Sequence, residues 1–135
     1  MKVLVDTPVW SLALRRKARS EHATTTSELA SLVQDGRVAM IGPIRQELLS
    51  GLEETAHFDR LRGHLRAFLD TEITTDDYEE AARYFNLCRT RGLQGSNTDF
   101  VICAVARRKE FSIFTTDKDF VRFSKILPIV LHAVS

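Results

Sequence analysis

Four acidic residues, Asp6, Glu47, Asp99 and Asp117, each follow an apolar strand-like run or share a helix stripe with apolar side chains. That placement brings carboxylates to the edge of a sheet rather than out into water. Two carboxylates about 5 Å apart, at an effective dielectric near 20, repel by roughly 3 kcal/mol. A cluster of four therefore protonates, attracts Lys or Arg, or binds divalent cations. An oxygen-only donor set, with no His or Cys, favours Mg²⁺ or Mn²⁺ over zinc. Two such ions about 3.5–4 Å apart are the arrangement that clamps the attacking and leaving oxygens in phosphodiester cleavage.

The elements that position these acids are legible from local pattern. Asp6 ends the run Val3-Leu4-Val5 and precedes Thr7-Pro8, a helix-start signal, so it sits at the carboxyl end of a first strand. Ligands of open α/β sheets bind at that edge, although the same position also suits an acid that only supports the helix start. Gly42-Pro43 opens a helix that carries Glu47 beyond the first turn, with Ile44 and Leu48 at i−3 and i+1, so its carboxylate is expected to point inward. Asp99 leads Ile102, Cys103 and Ala106 at i+3, i+4 and i+7, with Asn97 or Thr98 as the expected N-cap; a solvated first-turn acid is the plainer alternative. Asp117 follows the strand-like run 111–116, and Asp119 is read as a local N-cap, the other possibility being a weaker fifth ligand.

Taken together, the run from Val3 to Trp10, the segment from Glu47 to Gly51, the helix from Asp99 to Ala106 and Thr115-Thr116-Asp117-Lys118-Asp119-Phe120 resemble the PIN-domain nucleases. Within them the chain is most similar to the VapC toxins of toxin–antitoxin pairs. The resemblance spans nearly the whole chain and implies a three-layer α/β/α sandwich with a mainly parallel sheet. It also implies an Mg²⁺- or Mn²⁺-dependent endoribonuclease whose metal-holding and catalytic acids are Asp6, Glu47, Asp99 and Asp117. Thr115 matches a family position where a hydroxyl supports the site, and Thr7 is a second supporting donor. Pro8 departs from the pattern, which has a small polar residue there. A small antitoxin partner and a homodimer are likewise implied by the resemblance alone.

The remaining sequence agrees. At 135 residues, 1–135 forms one domain, long enough to bury roughly two thirds of its unfolded surface. A net charge of +1 argues against a uniformly basic coat but allows local patches, of which 15–19, 60–66 and 107–109 are candidates, each otherwise a solvated helix face. Two cysteines distant in sequence make neither a disulfide framework nor a zinc knuckle and point to a reduced, cytoplasmic protein. The four histidines lack metal-ligand spacing, and no stretch is apolar enough for a signal peptide or a membrane span.

Strands are predicted near 2–6, 38–41, 71–73, 112–115 and 128–132, and helices near 8–17, 25–35, 43–50, 54–69, 76–91, 98–108 and 118–123. Their alternation predicts an α/β fold with a mainly parallel sheet of about five strands. Leu52, Phe58, Leu61, Leu65 and Phe68 are candidates for an exposed apolar partner groove, core packing being the alternative. Pro8 stands where a haloacid-dehalogenase-type phosphatase carries its second Asp, and the second strand ends in Ile41-Gly42-Pro43 rather than in the phosphoacceptor of a receiver domain. The competing reading that survives is a non-catalytic PIN-like module that binds RNA or a partner.

Overall fold

The computed structural model of this chain describes residues 1–14 and 20–134. The basic run 15–19, and with it the end predicted for the first helix, lies outside them.

Among the described residues three short strands form a parallel sheet in the order β2-β1-β3, with β1 at Val3–Val5, β2 at Val38–Ala39 and β3 at Ser112–Phe114. Val3 and Leu4 pair with Val38 and Ala39 on one side, and Val3, Leu4 and Val5 with Ser112, Ile113 and Phe114 on the other. Every strand residue is buried, as expected of a parallel sheet covered on both faces. The strands predicted near 71–73 and 128–132 shrink to single parallel bridges, Met40 to Asp70 and Ile113 to Leu131. Local chemistry explains both. Thr71 N–H reaches the Met40 carbonyl, but Thr74 already caps the next helix, and Pro128 lacks a donor where the outer segment begins.

Among the described residues seven α-helices surround this sheet: α1 Thr7–Ala13, α2 Ala23–Gln34, α3 Gly42–Leu49, α4 Thr55–Leu65, α5 Thr75–Thr90, α6 Asn97–Lys109 and α7 Asp119–Ser124. Gly36, at a φ of 68°, closes α2 in the left-handed conformation that returns the chain to β2. The fourth helix stops short of residue 69. The Arg45 guanidinium donates to the carbonyls of Leu65 and Phe68 and to the Asp70 carboxylate, so those carbonyls turn toward α3 instead of continuing a helix. No helix among the described residues is long and apolar enough to cross a membrane.

Helix α6 lies between α5 and β3, so all of Phe100 to Ala106 is buried rather than one stripe of it. Of the residues expected in an exposed apolar groove, Leu65 is buried and Leu52, Phe58, Leu61 and Phe68 are half-buried. Phe68 packs edge-on against Trp10 with ring centroids 5.2 Å apart, which makes it part of the core rather than of an open surface.

Candidate active site

Asp6 supports the start of α1, the plainer of the two roles its position allowed, and makes a second, long-range hydrogen bond. As N-cap of α1 it accepts the Thr7 N–H on Oδ1 at 2.9 Å, while Oδ2 accepts the Thr115 hydroxyl at 2.8 Å. Only 5% of the residue is exposed. Burial pushes its carboxyl up to about 6, the two hydrogen bonds pull back, and the charges of Asp99 and Glu47 raise it further.

The Thr115 hydroxyl oxygen also accepts the Asp117 N–H at 3.0 Å, so one side chain ties Asp6 to the end of β3. Asp117 in turn accepts the Asp119 N–H on Oδ1 at 2.9 Å. This corrects the expectation for Asp119. It is the first residue of α7 rather than its cap, and its carboxylate accepts from Arg122 Nη1 at 2.8 Å. The turn is braced by Asp117 because a carboxylate two residues upstream reaches the free amide of the helix start.

Asp99 is held by a cap that sequence reading placed one or two residues late. Ser96, not Asn97 or Thr98, caps α6: its Oγ accepts the Asp99 N–H at 3.1 Å, and Asp99 Oδ2 accepts the Ser96 N–H at 2.9 Å. The reason lies at Gly95, where a β-carbon would stand 2.8 Å from Phe123 and 3.0 Å from Phe100. Only glycine lets the loop lie this close to the aromatic core, and that approach starts the helix early. Gly95→Ala is expected to cost about 1–3 kcal/mol of stability, measured by urea unfolding; a cost below about 0.5 kcal/mol would show that Phe123 yields freely. Burial raises the Asp99 carboxyl, Ser96's two hydrogen bonds oppose this, and Asp117 and Asp119 add to the rise.

Glu47 departs from expectation, since its side chain is exposed rather than inward. Ile44 and Leu48 on the same helix are buried, and Glu47 lies on the flank of their stripe, where the helix meets solvent. The Thr7 hydroxyl donates to its Oε1 at 3.3 Å, keeping it beside Asp6.

These acids share one electrostatic field: Asp6 senses Asp99 and Glu47, and Asp99 senses Asp117 and Asp119. Among the described residues none of the four forms an ion pair. Nor do three acidic, His or Cys side chains already stand in a metal-holding group among them. Uncompensated carboxylates repel, so a spread cluster is the arrangement that physics favours without a cation. The donors suit a hard divalent ion: all are carboxylate oxygens, and among the described residues no side chain or backbone group donates to Asp99 Oδ1, Asp117 Oδ2 or Glu47 Oε2.

A family model described as PIN domain matches residues 3–126. No curated protein sequence matches the chain. Among solved structures, FitAcB from Neisseria gonorrhoeae is similar at TM-score 0.75 and 19% identity, over 96% of each chain. VapBC2 from Rickettsia felis, bound to a DNA fragment from its promoter, is similar at TM-score 0.75 and 16% identity, over 98% of each chain. A toxin–antitoxin complex from Klebsiella pneumoniae follows at TM-score 0.61 and 18% identity, over 88% of this chain and 90% of that one.

Proposed function

The chain belongs to the PIN-domain family, whose members are generally nucleases, and from this we propose that it is an Mg²⁺- or Mn²⁺-dependent endoribonuclease. The observation that carries the reading is the buried Asp6 carboxylate, hydrogen-bonded on both oxygens, within the fields of Asp99 and Glu47 and joined through the Thr115 hydroxyl to Asp117, with no cationic side chain paired to these acids among the described residues. Asp6, Glu47, Asp99 and Asp117 would hold the metal. When bound, Mg²⁺ or Mn²⁺ supplies positive charge to the phosphodiester and lowers the pKa of a nucleophilic water.

The chain's own residues do the positioning. Thr115 holds Oδ2 of Asp6, and Ser96 occupies one oxygen of Asp99 and leaves the other without a hydrogen bond among the described residues. Thr7 steadies Glu47, the one exposed acid of the four. Cys103 offers no nucleophile: it is buried in α6, and desolvation pushes its thiol far above the ordinary range. Water is then the attacking group, and no covalent intermediate forms.

Cleavage of single-stranded or looped RNA should vanish in chelator and return with Mg²⁺ or Mn²⁺ but not with Ca²⁺, whose larger, looser coordination suits an in-line clamp poorly. A gel assay on labelled RNA reads this directly. Undiminished cleavage in chelator would sink the mechanism, and RNA binding without any cleavage would put the non-catalytic module in front.

We assign the chain the biological role of a cytoplasmic toxin that inhibits translation, held in check by an antitoxin protein and acting as a homodimer. The naming of the Klebsiella neighbour as a toxin–antitoxin complex supports the partner. A hollow of about 450 Å³ between α1 and α4, walled by Leu14, Leu48, Leu52 and Leu61, is the surface that suits its apolar side chains.

A further inference from the structure

At the seam of α5 and the start of α6, two adjoining hollows of about 390 and 220 Å³ share Phe85 and Phe100 as a common wall. The larger is lined by Tyr78, Asn86 and Asn97, and the smaller by Arg89 and Gln94. Tyr78 is 55% exposed, which leaves much of its ring open to a stacking partner. Three amide side chains around the hollows offer both donors and acceptors. Arg89 pairs with no carboxylate among the described residues, whereas Arg83 on the same helix is taken by Glu80 at 3.0 Å.

We propose that this seam is a subsite for an unpaired base of single-stranded RNA, stacked on Tyr78, with its edge read by Asn86 and Asn97 and the flanking phosphate met by Arg89. Proteins that hold single strands combine these elements: an aromatic face for stacking, polar side chains for base edges and a cation for the backbone. The place is compatible with a strand that reaches the acids. Asn97 is the first residue of α6 and Asp99 the third, about 3 Å further along the helix axis and roughly 200° around it, so the seam and the acids lie on different sides of the same helix start. A base lodged here belongs to a part of the strand that has passed over the start of α6.

Two other hollows among the described residues lack this chemistry. The groove between α1 and α4 is walled by leucines and histidines without an amide, and the cleft around Arg108 carries Asp76, Asp77 and Glu80, which repel phosphate. The subsite rests on the nuclease reading and deepens it by naming what selects the RNA.

The test uses the full chain with Tyr78→Ala and Tyr78→Phe. A fluorescein-labelled, unstructured 12-nucleotide RNA is titrated by anisotropy with Ca²⁺ present, beside a duplex of the same sequence. Tyr78→Ala should weaken single-strand binding about fivefold or more, the lower end of a lost stacking contact. Tyr78→Phe should stay within about twofold of the parent, and duplex binding should not change. With Mn²⁺, Tyr78→Ala should raise KM by the same factor and leave kcat within about twofold. Equal single-strand affinity of the parent and Tyr78→Ala overturns the subsite while parental cleavage keeps the nuclease reading. A parent that neither binds nor cleaves RNA overturns both. Conversion of a dimer to a monomer by Tyr78→Ala in sedimentation would assign the seam to a second copy of the chain and likewise overturn the proposal.

Discussion

Asp6→Asn is expected to cleave RNA more than about a hundred-fold slower than the parent, since loss of groups that merely support a metal ligand already costs 10–100-fold. Asn also serves well as an N-cap, so α1 keeps the hydrogen bond from Thr7 and the fold survives. In chelator the same substitution should flatten the pH dependence of stability. The Asp6 carboxyl sits at about 6 in the folded protein against 3.8 for a solvated aspartate. The folded state therefore holds this proton more tightly. The resulting stabilisation is complete below pH 3.8 and is lost as pH rises through 6, a change of roughly 3 kcal/mol at most. Asn cannot titrate. Urea unfolding of the parent and Asp6→Asn at pH 4 and pH 7 should therefore show the variant gaining on the parent toward neutral pH, by an amount trimmed by about 1 kcal/mol for the weakened Thr115 contact. A difference independent of pH would mean that burial does not raise Asp6.

Where sequence reading succeeded, one local rule sufficed. The strand Val3–Val5 running into Asp6-Thr7-Pro8 is specified by hydrophobicity and a helix-start signal within a few residues, and Gly36 ends α2 for a purely backbone reason. The parallel α/β class followed from such pieces in alternation. What was illegible depends on contacts far apart in sequence. Ser96 becomes the cap of α6 because Gly95 must pack on Phe123, 28 positions on, and no propensity at 96–98 reveals that. The end of α4 is set by Arg45 from another helix. The outer segments at Asp70 and Leu131 have strand-like sequence, but each finds only one bridge because the neighbouring element begins or ends too soon. Glu47 and Asp119 show the limit of face arithmetic: spacing gives the stripe, but whether an acid at its margin turns inward or toward an arginine is decided by the neighbour it meets.

The same limit hid the shortest ion pair among the described residues, and breaking it should carry the largest stability effect. Asp77 was legible only as an acid at the start of α5. The structure buries it to 2% exposure, where it closes a capping box with Thr74 and receives two hydrogen bonds from Arg108, Nε to Oδ1 at 2.7 Å and Nη2 to Oδ2 at 2.8 Å. A third bond, Nη2 to the Glu72 carbonyl at 2.9 Å, extends the clamp, so the end of α6 fastens the start of α5. Burial alone would raise the Asp77 carboxyl, but the Arg108 hydrogen bonds, the Thr74 amide and the Arg108 charge together hold it below the ordinary range. Removing one partner of a buried pair costs about 3–5 kcal/mol. The Arg108 side chain is 37% exposed, so water screens part of this, and Arg108→Ala is expected to cost about 2–3 kcal/mol. Asp77→Asn should cost less, because it leaves a guanidinium that water can reach instead of a carboxylate that it cannot, and the double variant should recover stability relative to Arg108→Ala alone. The pH response should change sign as well. In the parent, the Asp77 contribution is present above pH 3.8 and is lost as pH falls through its lower folded value. In Arg108→Ala, burial is opposed only by the Thr74 hydrogen bonds, so acid should stabilise the variant relative to the parent. Urea unfolding at pH 4 and pH 7 separates the outcomes, and a cost below about 0.5 kcal/mol at pH 7 would make the pair surface decoration. Nine residues of α6, about 14 Å, separate Arg108 from Asp99. Cleavage per folded molecule should therefore be unchanged, which distinguishes this clamp from the acids at the other end of the same helix.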